Sequence, residues 1–225
     1  ERALELFNEM VRQNIGITWD ASNGVIAASC TEEIISAAAA SGCIGLNLGV
    51  ESGNRARLKQ IRKPGTIETF VKAAEIVRKY EQIHSRTLLM IAFPSETYGE
   101  TMDTIRLAKE MDLDWNNVNI LEPLPNTPIY DQMVEEGLLS GTSDEALNDL
   151  VMLNKARPVM RREDPKAGGP NDLLARDFKN AFGSERGDLE VPKHAWDDIW
   201  AYMNFHLNFE RLKNVSLALL GSTCQ

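Results

Sequence analysis

Apolar and polar residues alternate without a break from Ile44 to Glu51. Ile44, Leu46, Leu48 and Val50 fall on one side, and Gly45, Asn47, Gly49 and Glu51 on the other. A period of two predicts an extended strand. Elsewhere the period lengthens to that of a helix. Ala3, Leu6, Phe7, Met10 and Val11 form one stripe within Glu1–Asn14, and Phe70, Ala73, Ala74 and Val77 another within Ile67–Tyr80. Thr87–Phe93 is apolar throughout, as a strand covered on both faces should be. Shorter strands are predicted at Ile15–Ala21 and Asp114–Leu121. Helix starts are marked by Ser29 with Glu32, by Thr66, by Thr97 with Glu100, and by Thr127 before Pro128. These open helices that end at Gly42, near Tyr80, near Met111 and near Gly137, and Asn54–Ile61 reads as a shorter helical turn.

Strand and helix therefore alternate four times with short connections, which predicts an α/β fold built on a parallel sheet with helices outside. The strand ends carry the special residues: Asp20-Ala21-Ser22-Asn23, Glu51-Ser52-Gly53, Pro94-Ser95-Glu96 and Glu122-Pro123. Parallel barrels and sheets place their ligands at this carboxyl rim. Bulky branched residues usually fill a barrel interior, so the glycines and asparagine of Ile44–Gly53 predict room for a bound molecule and a carboxylate, Glu51, presented to it. Beyond Ser140 the pattern changes. Helices are expected at Asp144–Ala156 and Asp172–Phe182, with a linker or lid over 157–171. A last helix from Pro192 puts Trp196, Ile199, Trp200, Met203 and Leu207 on one face, the mark of a core or docking surface.

Composition narrows the function. Of 225 residues, 43% are hydrophobic and 25% charged, which is ordinary for a soluble globular protein, and the formal charge of −9 argues against a nucleic-acid footprint. No apolar run is long enough to span a membrane and no signal peptide is visible, so a cytoplasmic location is expected. Cys30, Cys43 and Cys224 are too scattered for a disulfide framework or a spaced metal motif, and His84, His194 and His206 have no partner at ligand spacing. No metal site is expected within the chain. Bland roles compete at each candidate: Glu51 paired with Arg55 or Arg57, Asp20 capping a turn, Asn47 and Asn119 satisfied by backbone or water, and Arg62-Lys63 on a solvated face.

Four blocks carry a resemblance: Gly42–Gly53, Leu58–Lys63, Met90–Thr97 and Leu121–Tyr130. In this order and spacing, Ile15–Leu139 resembles the second half of the catalytic barrel of radical S-adenosylmethionine (radical SAM) enzymes. It is most similar to the subgroup with a cobalamin-binding domain upstream. The resemblance implies a partial (β/α) barrel over 1–139 and an α-helical C-terminal extension over 140–225. It implies SAM as cofactor, contacted by Glu51 and Ser52 at the ribose and amino-acid end and by Ile91, Ala92 and Leu121 on the adenine side. It also implies a 4Fe–4S cluster that cleaves SAM to a 5′-deoxyadenosyl radical, a small-molecule substrate, and an electron donor such as flavodoxin or ferredoxin. Two departures stand out. The family's three-cysteine motif (C-x-x-x-C-x-x-C) is absent, and Ala92 and Ser95 stand where the family usually has glycine. With a helical pattern opening uncapped at Glu1, the expectation is a fragment whose cluster ligands lie upstream. Its parent would perform cobalamin-dependent methyl transfer or a related ring-forming reaction. Two alternatives stay open: a non-radical α/β barrel enzyme or SAM-binding module without catalysis, and an interaction domain that uses the Trp196–Leu207 helix as its surface.

Overall fold

In the computed structural model, residues 1–137, 187–191 and 195–210 are described. The expected helices at Asp144–Ala156 and Asp172–Phe182, the linker 157–171 and the helix start at Pro192 lie outside them. Four strands form one parallel sheet: β1 Trp19–Val25, β2 Cys43–Glu51, β3 His84–Ile91 and β4 Trp115–Ile120. The helices are α1 Arg2–Arg12, α2 Glu32–Ala40, α3 Arg55–Gln60, α4 Ile67–Val77, α5 Tyr98–Met111, α6 Pro128–Glu135 and α7 Trp196–Asn204.

The strand order is β1-β2-β3-β4. Every crossover steps to the next position in the same direction, and right-handed crossovers then lay their helices on one face. A doubly wound sheet reverses its order midway; this one does not, so it is an arc of a (β/α) barrel. The covered face is the core. Leu46, Leu48 and Val50 of β2, Leu89 and Ile91 of β3 and Val118 of β4 pack with Phe70, Ala73 and Val77 of α4 and Ile105, Ala108 and Met111 of α5. Cross-strand register puts Asn47 beside Arg86, and Arg86 beside Trp115, on the opposite, lumen-side face.

Local rules place the helix starts. Thr66, Thr97 and Thr127 accept the backbone N–H three residues on, and Thr97 with Glu100 forms a full capping box. At α2 the cap is Thr31 rather than Ser29, because Ala27–Ser29 closes a separate 3₁₀ turn whose Ser29 hydroxyl bonds Ile26 O (2.6 Å). β1 starts at Trp19, four residues later than expected, and the preceding Ile15 and Ile17 are exposed. The stripe of α1 buries no residue; Phe7 stacks on Trp19 at 5.0 Å, while Leu6 and Val11 stay exposed. Ile44 also departs from the alternation, 48% exposed at the start of β2.

The last helix covers the β4 edge. Ile199, Met203 and Leu207 are buried, so the aromatic stripe is core rather than a free partner surface. Asn208 lies in a π-helical turn, Phe205–Phe209, after α7. Its side chain accepts the N–H of Asn116 (2.7 Å) and donates to the same residue's carbonyl (2.9 Å), while Trp200 Nε1 donates to Val118 O (2.7 Å). These side chains make the bonds that a fifth strand would make.

Candidate functional site

β2 supplies the centre of the site. A register shift separates Gly49 from Glu51 in its pairing with β3, and Glu51 takes a left-handed φ of 68°. The bulge falls at the very end of the strand, and the Glu51 carboxylate stays on the Gly49 face, with Oε1 3.9 Å from where a Cβ on Gly49 would lie. Its partner is neither Arg55 nor Arg57. Lys63 Nζ donates to Glu51 Oε1 at 2.9 Å, with both side chains 23% exposed, and among the described residues Oε2 has no partner. Arg55 pairs with Glu68, and Arg57 with Glu100.

Lys63 arrives by a helix stop. At the end of α3, Arg62 is left-handed (φ 53°) and the N–H of Lys63 bonds back to Leu58 O at 2.9 Å. The reversal sends the ammonium across β2, where a Cβ on Gly49 would lie 3.0 Å from Nζ. At Gly45 a Cβ would run into the carboxylate of Asp20, which Arg86 of β3 holds in an ion pair. Two glycines on the lumen face thus make room for the protein's own charges. Asn47, between them, donates to Ser22 O. The expectation of empty space along this strand is corrected accordingly, and Asp20 is an ion-pair partner rather than a turn cap.

The other candidates differ in what they can present. Ser52 is buried and turned toward α5; its hydroxyl accepts the N–H of Asn54 (3.1 Å), and Gly53 N–H bonds Thr104 Oγ1 (2.9 Å). Ile91 is fully buried on the helix side, so its side chain cannot reach a ligand at the lumen; its carbonyl takes the N–H of Leu121 at 2.8 Å. The lumen-side neighbour is Met90, half-buried, which the sequence pattern does not single out because a uniformly apolar strand does not reveal which parity faces which layer. Ala92 and Leu121 are half-buried at the rim. Ala92 has φ 68° and Ser95 φ 54°, so the two positions that depart from the family's glycines are both left-handed. Such angles cost an L residue roughly 1–2 kcal/mol each.

The loop after β3 closes around Glu96. That carboxylate accepts the N–H of Phe93 (3.0 Å) and the hydroxyl of Thr101 (2.9 Å). The segment 187–191 crosses above it: Val191 N–H bonds Glu96 O (2.9 Å), and Leu189 and Gly187 carbonyls take the first N–H groups of α5 (3.0 and 2.9 Å). Enclosure disfavours the charged form, and burial pushes the Glu96 carboxyl up to about 7 against the pull of its hydrogen bonds and Arg57.

Metal ligands are a separate matter. Among the described residues no group of three or more His, Cys, Asp or Glu is placed to hold a metal ion. Cys30 and Cys43 are buried and free, and burial pushes the Cys30 thiol up to about 11, away from the thiolate that ligates iron. Cys30 and Cys43 do not fit an iron–sulfur cluster. The Glu51 carboxylate is a hydrogen-bond acceptor with one oxygen held by Lys63.

Residues 1–108 match the radical SAM superfamily. The match takes in α1 through most of α5 and so includes Glu51, Ser52, Ile91 and Ala92, but stops before Leu121. Among curated proteins, an uncharacterized methyltransferase of Pyrococcus horikoshii is 28% identical over 139 residues, 62% of this chain and 30% of the relative. A tRNA-2-methylthio-N(6)-dimethylallyladenosine synthase of Sulfurihydrogenibium sp. is 28% identical, covering 50% of this chain and 26% of its own. The anaerobic magnesium-protoporphyrin IX monomethyl ester cyclase of Rubrivivax gelatinosus is 22% identical, covering 85% of this chain and 33% of its own. The chain thus spans about a third or less of the length of these relatives. Among solved structures, the radical S-adenosylmethionine methyltransferase TsrM from Kitasatospora setae aligns with a TM-score of 0.49 at 18% identity, over 59% of this chain and 27% of its own. No described helix is long and apolar enough to cross a membrane.

Proposed function

We propose that this chain forms the carboxyl-terminal arc of a radical SAM catalytic barrel and binds SAM at its carboxyl rim. The observation that carries the reading is Glu51: a carboxylate at the strand end, steadied by Lys63 through one oxygen and with the other oxygen open for ligand hydroxyls. Ala92 and Leu121 would line the adenine side. Ser52 and Ile91 would support this wall from behind, through the turn at Asn54 and the backbone of Leu121. SAM held there would supply the adenosyl group from which radical chemistry starts. The cluster-binding cysteines would come from sequence outside these 225 residues.

The reactions named for the relatives, methyl transfer, methylthiolation and ring closure, favour a small-molecule or nucleoside-sized substrate entering the lumen. Cobalamin on a further domain, and an electron donor such as flavodoxin or ferredoxin, belong to the same proposal. A second reading is a SAM-binding module without radical chemistry, in which the buried Cys30 and Cys43 are plain core residues. Anaerobic reconstitution with iron and sulfide separates the two, since a parent chain that takes up no cluster supports the module.

Titration with S-adenosylhomocysteine tests the site itself. Glu51→Ala should lose a charge-assisted hydrogen bond, on the order of 1.5–3 kcal/mol in affinity. An unchanged dissociation constant would remove Glu51 from the site.

A further inference from the structure

The turn after β3 holds two non-glycine residues, Ala92 and Ser95, in the left-handed region. Such angles persist only where the surroundings over-determine them. For this turn much of the surroundings is one side chain from helix α3. Arg57 of α3 is 5% exposed. Its Nη1 donates to the carbonyl of Pro94 (3.2 Å) and to Gln60 Oε1 (2.7 Å), and its Nη2 to Glu100 Oε2 (2.9 Å). The guanidinium also lies over the ring of Phe93, 5.3 Å from its centroid. Glu100 Oε2 in turn accepts the N–H of Thr97 at 2.9 Å. One cation therefore grips the turn at Phe93, at Pro94 and, through Glu100, at Thr97. Among the described residues its buried Nε has no partner. A buried ion pair with an orphaned donor is a poor source of stability, because apolar packing of similar volume avoids the desolvation cost. What the arrangement supplies is position: α3 follows directly on the loop that begins with Glu51, so Arg57 joins the β2 rim to the β3 rim.

We infer that Arg57 is a positioning residue of the carboxyl rim, holding the strained Ala92–Ser95 turn in register with Glu51 without touching the ligand. Its functional half rests on the SAM reading above; its structural half rests on the geometry alone. Arg57 acts by suppressing the relaxation of Ala92 and Ser95 to ordinary φ, which would shift the adenine side of the site. Glycine takes the left-handed angles without an anchor, so glycine at these positions should replace the need for Arg57.

The test combines amide hydrogen exchange of the ligand-free 225-residue chain with S-adenosylhomocysteine titration. The variants are Arg57→Met, Arg57→Lys, and Arg57→Met carrying Ala92→Gly and Ser95→Gly. Arg57→Met should speed exchange over 93–97 by about tenfold while β2 and α4 keep their protection. If the competent turn is then populated about a tenth of the time, affinity falls about tenfold. Arg57→Lys should restore it in part, and the glycine pair should bring it back to within about threefold of the original. Unchanged exchange over 93–97 overturns the inference whatever the ligand does. Exchange that rises evenly over the whole chain also overturns it, by making Arg57 a stability residue. A parent chain that binds no S-adenosylhomocysteine, with the turn loosening as expected, retires the SAM reading and leaves the anchor standing. If Arg57→Met does not fold, Glu100→Gln removes the ion pair and is read by the same exchange measurement.

Discussion

Glu96 is a carboxylic acid enclosed by its own turn, and its environment has a consequence for pH. Its ordinary value of 4.5 applies to the unfolded chain, while in the fold it is pushed up to about 7 by burial. Below pH 4.5 both states hold the proton and the cost of burying the charge is not felt. Between the two values the unfolded chain ionises first, so stability falls as pH rises, by on the order of 3 kcal/mol, and then levels off above 7. Protonated Glu96 keeps good partners: its O–H can donate to Thr101 Oγ1, whose own hydroxyl then turns to Thr97 O at 3.4 Å. Glu96→Gln mimics that form and should flatten the urea midpoint across this pH window; a midpoint that still falls would move the titration to another group. Gly45 makes a second residue-scale case. Gly45→Ala should cost roughly 1–3 kcal/mol by overpacking against Asp20, measurable by chemical denaturation, and a neutral result would show that the Asp20–Arg86 pair moves aside freely.

α7 and the turn after it satisfy two carbonyls and one N–H of β4 through Asn208 and Trp200. Asn208→Leu keeps the bulk and orphans both Asn116 groups, for an expected loss of about 2–4 kcal/mol. Trp200→Phe keeps an aromatic ring and orphans only the Val118 carbonyl, so it should cost about 1 kcal/mol more than its lost ring area alone. Thermal melts of the two variants check the ranking; equal losses would mean that packing, not edge bonding, dominates the contact. Residues 195–210 are in this respect continuous with the sheet.

Among the described residues the sheet is an arc with one face sheathed in helices and one face polar. Deleting residues 195–225 should uncover the β4 edge and drive self-association, since an unpaired edge recruits other strands; size-exclusion chromatography that still showed a monomer would assign the protection elsewhere. The alternation of Ile44–Glu51 and the threonines at 66, 97 and 127 predict β2 and three helix starts that the structure shows. Three of the four expected rim segments do follow strand ends, at Glu51-Ser52-Gly53, Pro94-Ser95-Glu96 and Glu122-Pro123, but Asp20-Ala21-Ser22-Asn23 lies inside β1, because pairing with β2 carries that strand on to Val25. What escaped was the content of the rim. Caps, turns and periods are set by neighbours within a few residues, so the chain alone determines that elements alternate, where the Thr66, Thr97 and Thr127 helices begin, and that Glu51 stands at a strand end. Asp20 meets Arg86 across 66 positions, Arg57 meets Glu100 across 43, and Asn116 meets Asn208 across 92. Only the tertiary structure decided those pairings, and with them the filled floor at Gly45, the gripped turn at Ala92 and the closed edge of β4. Long side chains choose partners by distance after the strands have paired, and no period in the sequence records that choice.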